Sequence, residues 1–148
     1  GSSAGAEAVL DAVYALRLSS LKGAISLAGG VEPPQTWRDT PVLAVHGTCD
    51  ALVPYCIDLH HYCPIESAGA LLLAGGGGLA SEGANVDLHA IQYAGHELSS
   101  SMLTDPFFID RSVEFINSVV NDTFEPNHST IPLYRPCSLS QHPDPSCQ

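Results

Sequence analysis

The chain is short of cations. Only 5 of its 148 residues are Lys or Arg, against 16 Asp or Glu, for a formal net charge of −11. Nucleic acids and anionic lipid surfaces are held by clustered positive charge, so the composition excludes both as main partners. Long apolar runs are missing too. The greasiest stretch, Ala70 to Ala80, is interrupted by Gly75 to Gly78 and falls short of a membrane span. No CxxC pair occurs among Cys49, Cys56, Cys63, Cys137 and Cys147, so neither a zinc site nor a thioredoxin-type site is supported. A basic start followed by an apolar segment is also lacking, and no signal peptide is visible.

What is present is a single domain's worth of residues, 45% hydrophobic and 14% charged. That balance excludes disorder for most of the chain and predicts a soluble, acidic, globular domain. Cys137 and Cys147 flank a short Pro-containing loop and are placed to close it as a disulfide. Asn121-Asp122-Thr123 and Asn127-His128-Ser129 are glycosylation-type triplets. Together these features point to a secreted or extracytoplasmic protein with one cysteine left over.

Periodicity predicts the elements. Ala4 to Ser19 reads as a helix, with Ala8, Ala12, Ala15 and Leu16 at helical spacing and Val9, Leu10 and Val13 widening the apolar face. Ala24 to Ala28 is a short strand, and Pro41 to Val45 reads as a strand buried on both faces of a parallel sheet. Between them, Val31 to Thr40 is a loop carrying Pro33, Pro34 and Trp37, residues suited to a pocket wall or to the core. Ile57 to Tyr62 reads as a short helix. Ser67 to Gly83 begins as another, and its four consecutive glycines suggest a flexible join. Val86 to Tyr93 alternates like a strand. A last helix starts with Asp105 as N-cap and Pro106 in its first turn, its apolar stripe running Ile109, Val113, Ile116, Val120. From Asn121 onward the chain carries five prolines and little periodicity. The order helix, strand, strand, helix, strand, helix predicts an α/β fold with a mostly parallel sheet over residues 1–120, followed by a Pro- and Cys-containing tail at 121–148.

Three segments carry chemistry. Gly1-Ser2-Ser3-Ala4-Gly5 fits G-x-S-x-G before a helix, the pattern of a tight turn that exposes a serine hydroxyl. Alone it is weak, because Gly and Ser are common enough here for roughly a 10% chance match. His46-Gly47-Thr48-Cys49-Asp50-Ala51-Leu52-Val53-Pro54 follows the buried strand, and Ala94-Gly95-His96-Glu97 follows the alternating one. Asp50 and His96 therefore fall beyond the carboxyl ends of strands, where open α/β sheets keep their reactive groups. His46 reads as a structural residue of the strand-end turn and Glu97 as a solvated loop residue. His60, His61 and Cys63 are not arranged as metal ligands, since adjacent histidines point in different directions.

In this order the three motifs resemble the nucleophile, acid and histidine motifs of the α/β-hydrolase superfamily, its carboxylesterase and lipase-like members in particular. The resemblance covers about residues 1–120. It implies that Ser3 is the nucleophile, His96 its base, Asp50 the residue that holds the imidazole, and the Ala4 N–H one oxyanion-hole donor. It further implies a cofactor-free enzyme that cleaves small-molecule esters through an acyl-enzyme, with a prolyl-peptidase-like activity as the nearest rival. Only 47 positions separate Ser3 from Asp50 and 46 separate Asp50 from His96. That leaves little room for a lid and suits short or modest acyl groups. In the family a strand precedes the elbow and an earlier loop gives the second oxyanion donor. The chain is therefore expected to be the C-terminal half of a longer hydrolase, with negligible turnover when isolated. A reading of another class is a non-catalytic interaction module that self-associates through its open sheet edge.

Overall fold

The computed structural model describes residues 1–32, 39–50, 52, 53, 55, 75–81 and 83–131. Helix α1 (Ala4–Tyr14) is followed by strands β1 (Ala24–Leu27) and β2 (Val42–Gly47), helix α2 (Gly76–Ser81) and strand β3 (Val86–Ile91). Helix α3 (Leu98–Ser101) runs through a 3-10 turn at Met102–Thr104 before α4 (Pro106–Val120) and strand β4 (Asn127–Ile131). All four strands are parallel in the order β1-β2-β3-β4. On the outer side of β1, Ser2 makes a further parallel bridge to Leu27. This is an α/β fold, as the alternation of helical and strand patterns predicts. The short helix at 57–62, the Trp37 loop, the His60-His61-Cys63 cluster and the Cys137–Cys147 pair lie outside the described residues.

Every residue of β2 is buried. It is a central strand covered on both faces, which is why its sequence is an unbroken apolar run rather than an alternation. On one side it packs with Leu10, Val13 and Tyr14 of α1, Leu79 of α2 and Val86 and Leu88 of β3. A second cluster gathers Leu27, Val45, Ile91, Ala94 and Leu98, with Phe107 and Phe108 against it.

The inward face of α1 agrees with the expected one at Leu10 and Val13 but not along the alanine stripe, and α4 turns a different face inward from the one its spacing predicts. In α1 the buried residues are Ala6, Leu10, Val13 and Tyr14, while Ala8 and Ala15 are exposed and Leu16 lies beyond the helix. The alanine stripe loses because a methyl group buries little area, whereas Leu, Val and Tyr bury several times more. The helix also stops at Tyr14 rather than Ser19. Ala15 and Leu16 both bond back to the Asp11 carbonyl, and Arg17 reverses the chain at φ 52. In α4, Asp105 caps the first turn as expected, its carboxylate accepting the Phe107 N–H at 2.9 Å. The stripe of Ile109, Val113, Ile116 and Val120, however, is between 48% and 76% exposed. Phe115 goes inward instead, set against Gly23 and edge-on to Phe124 with ring centroids 5.5 Å apart.

Two further expectations change. The glycines at 76–78 are not a join but the first half of α2 itself. And the sheet continues past residue 120, because Asn127–Ile131 of the expected tail pairs with β3 along its whole length. An edge strand held by backbone bonds can keep polar, exposed side chains, so β4 shows no apolar period.

The inward face of α4 can be tested by mutation. Phe115→Ala is expected to cost about 3–5 kcal/mol in urea unfolding, the usual range for emptying a buried aromatic site. Val113→Ser on the outward stripe should change stability by no more than about 0.5 kcal/mol.

Candidate active site

The chain enters α1 through a strained turn. Gly1 and Ser2 lie along β1, where the Leu27 N–H donates to the Gly1 carbonyl and the Ser3 N–H to the Leu27 carbonyl. Ser3 then takes φ 51 and ψ −126, a left-handed conformation that a non-glycine residue rarely adopts. A Cβ at position 1 would stand 2.1 Å from the Gly5 carbonyl oxygen, so the first glycine of the motif is required for the turn to close; a Cβ at Gly5 meets nothing. Ser3 occupies the N-cap position, yet its hydroxyl caps no helix N–H. It reaches outward instead.

The other two groups stand on the turns after β2 and β3. Those turns are pressed together: a Cβ on Gly47 would lie 2.2 Å from the Ala94 carbonyl oxygen. That same carbonyl accepts the Cys49 N–H at 2.9 Å, and the Thr48 hydroxyl accepts the Tyr93 N–H at 2.9 Å. The crossing places Asp50 beside His96, with Asp50 Oδ2 2.8 Å from His96 Nδ1. His96 Nε2 in turn lies 2.8 Å from Ser3 Oγ. An ionised carboxylate only accepts, so Nδ1 carries the ring proton and Nε2 is left to accept from the serine hydroxyl. Ser3, Asp50 and His96 are thus joined in one hydrogen-bonded line.

Asp50 is the buried anchor of this line, its side chain fully shielded while that of His96 is 18% exposed. Its Oδ1 accepts the Leu52 and Val53 N–H groups, each at 2.9 Å. Burial pushes the carboxyl's pKa up, but hydrogen bonding from His46, the Val53 N–H and His96 outweighs it and holds the group below its ordinary value of 3.8. The Ala4 N–H, at the N-terminus of α1, donates to no group among the described residues. It stands at the positive end of the helix dipole, one residue after Ser3.

Several contacts were not legible as site features. The Ser2 hydroxyl donates to the Ser99 carbonyl, tying the elbow to α3 and the His96 turn. Glu97, read as merely solvated, accepts the Gly95 N–H at 2.9 Å and braces the turn that carries His96. Away from the site, His89 bridges Ser129 (Nδ1 to Oγ, 2.6 Å) and Asp87 (Nε2 to Oδ2, 3.3 Å), fastening β4 to β3. Asp87 and His89 are two apart on one strand, the only sequence signal for that contact. Among the described residues no group of three or more His, Cys, Asp or Glu could hold a metal ion, and no helix is long and apolar enough to cross a membrane. Set against known proteins, the chain matches no family model, no curated sequence and no solved structure, so the site stands on its geometry.

The depressed Asp50 carboxyl has a consequence for stability. Its ionised form favours the folded state above the ordinary value of 3.8, and that contribution is lost as pH falls through the lower folded value. Asp50→Asn keeps an acceptor for Leu52 and Val53 but no titrating group. Urea midpoints measured downward through this interval should therefore fall more steeply for the wild type than for Asp50→Asn.

Proposed function

We propose that the chain carries the catalytic triad of a carboxylesterase-like serine hydrolase of the α/β-hydrolase type, acting on carboxylic esters. The observation that supports this reading is the unbroken relay from Ser3 Oγ through the His96 ring to buried Asp50, both links 2.8 Å. A serine hydroxyl is a weak nucleophile until a base removes its proton as it attacks. His96 Nε2 takes that proton while Ser3 Oγ bonds to the ester carbonyl carbon, and Asp50 stabilises the imidazolium so formed. Negative charge developing on the carbonyl oxygen is met by the Ala4 N–H at the head of α1.

Collapse of the tetrahedral intermediate breaks the bond to the alkoxy group, and the proton held on His96 Nε2 goes to the departing alcohol. Water enters, gives a proton to Nε2 and attacks the acyl carbon. The second collapse frees the acid and returns the proton to Ser3. No metal or organic cofactor takes part in this scheme. The small-molecule ester meets a histidine that is partly exposed, so the reacting carbonyl approaches from solvent over the carboxyl ends of the strands.

The test is fluorophosphonate labelling of the natively produced protein, with mass mapping of the tryptic peptide that ends at Arg17. The label is expected on Ser3 and should vanish in Ser3→Ala. Asp50→Asn should slow labelling by about 10⁴-fold, the scale of losing the correct tautomer in a triad. A wild-type protein whose Ser3 stays unlabelled under native conditions overturns the assignment.

A further inference from the structure

His46 is the penultimate residue of β2, four residues before Asp50, and is almost wholly buried. Both ring nitrogens are committed. Nδ1 lies 3.2 Å from the Gly76 nitrogen, which can only donate, so Nδ1 is the unprotonated acceptor. The proton is therefore on Nε2, which is 2.9 Å from the Val53 carbonyl oxygen and donates to it. The same Nε2 lies 3.5 Å from Asp50 Oδ2. Val53 is one of the two residues whose N–H groups hold Asp50 Oδ1. One ring thus grips the acid's turn from its carbonyl side while that turn grips the acid from its amide side.

The other end of this grip explains the glycine at position 76. A Cβ on Gly76 would stand 2.8 Å from His46 Cβ and 3.0 Å from Leu88 Cδ1, so only glycine lets the first turn of α2 come close enough to donate. Three glycines in one short helix are costly for helix formation. At Gly76 the cost is matched by a contact that no other residue permits.

We propose that His46 is a positioning residue for Asp50, set in its tautomer by the Gly76 N–H, and that the Gly76–His46–Val53 link fixes which carboxylate oxygen faces His96. This rests on the reading of Ser3, His96 and Asp50 as a triad and deepens it. With Oδ1 held by Leu52 and Val53, Oδ2 alone is turned to His96 Nδ1. Releasing Val53 frees the carboxylate to rotate and weakens that bond without removing any of the three groups.

The experiment uses the full chain as wild type, His46→Asn, His46→Gln and Gly76→Ala, each checked for native far-UV circular dichroism. Asn keeps an acceptor near the Nδ1 position and loses the donor to Val53. Gln keeps a donor near the Nε2 position. Gly76→Ala leaves every polar group in place and displaces the ring, and Ala is the better helix former. Two readouts are taken: the downfield proton resonance of His96 Nδ1–H in histidine-labelled protein, and the rate of fluorophosphonate labelling at Ser3. The wild type should show the resonance. Folded His46→Asn and Gly76→Ala should lose it and label about 100-fold more slowly, the scale of a small misplacement of catalytic groups. His46→Gln should recover most of both.

If a folded His46→Asn or Gly76→Ala keeps the wild-type resonance and rate, or if the wild type lacks the resonance, the proposal is overturned. Should one variant fail to fold, the other decides. A wild type with the resonance but no label on Ser3 contradicts the hydrolase reading instead, and loss of the resonance in the variants would still support the positioning role.

Discussion

Everything at the carboxyl end of the sheet depends on the close approach of two turns, the one leaving β2 at Gly47 and the one leaving β3 at Ala94. Parallel strands bring their ends to the same side but leave them about 4.8 Å apart, with side chains pointing in many directions. Here the Ala94 carbonyl occupies the space a side chain at position 47 would fill and accepts the Cys49 N–H. The two turns become one unit, stitched again by the Thr48 hydroxyl. Asp50 and His96 are carried on that unit three and two residues further on. Their 2.8 Å contact needs little further arrangement.

The serine reaches this unit by a different route. Its turn lies beyond β1 and is held on both sides: Ser3 N–H on the Leu27 carbonyl, and Ser2 hydroxyl on the Ser99 carbonyl. A left-handed non-glycine residue costs on the order of 1–3 kcal/mol and persists only where its surroundings over-determine it. A positive φ recurs at Ala28, directly after β1, and at Tyr93, shortly after β3. Ser3 stands on one such corner, and Tyr93 begins the turn that carries His96.

How much of this the amino-acid pattern reveals depends on which force shapes each element. Strand β2 was legible because burial on both faces demands an apolar run, and Asp105 because a cap is a local contact. Asp50 and His96 were legible because each follows a strand, and Ser3 because glycines flank it just before a helix. The face of α1 was legible at Leu10 and Val13 but not at Ala6 and Tyr14, and that of α4 was not, since period alone does not weigh Ile109 against Phe115. That choice is made by partners far along the chain, such as Gly23 and Phe124. Strand β4 was hidden because backbone bonds and the contact of its central Ser129 with His89 of β3 hold it. Gly76 at the start of α2 was hidden for a related reason: helix propensity disfavours it, and only the three-dimensional nearness of His46 makes it necessary.

Burial of charge shows how the remaining polar groups are organised. A lone carboxylate shielded from water would protonate rather than stay charged. Asp50 stays charged because donors surround it: two backbone N–H groups on one oxygen, an imidazole N–H on the other, and the His46 ring edge beside it. Two of these groups are themselves fixed by a second bond, Val53 through its carbonyl to His46, and His46 through its other nitrogen to α2. The charge is therefore held by segments centred on residues 46, 53, 76 and 96, which are remote in sequence and meet only in the folded sheet. A buried anion supported in this way couples site to fold. Any opening that detaches one segment leaves a carboxylate without its full set of donors, and the free energy of that loss resists the opening.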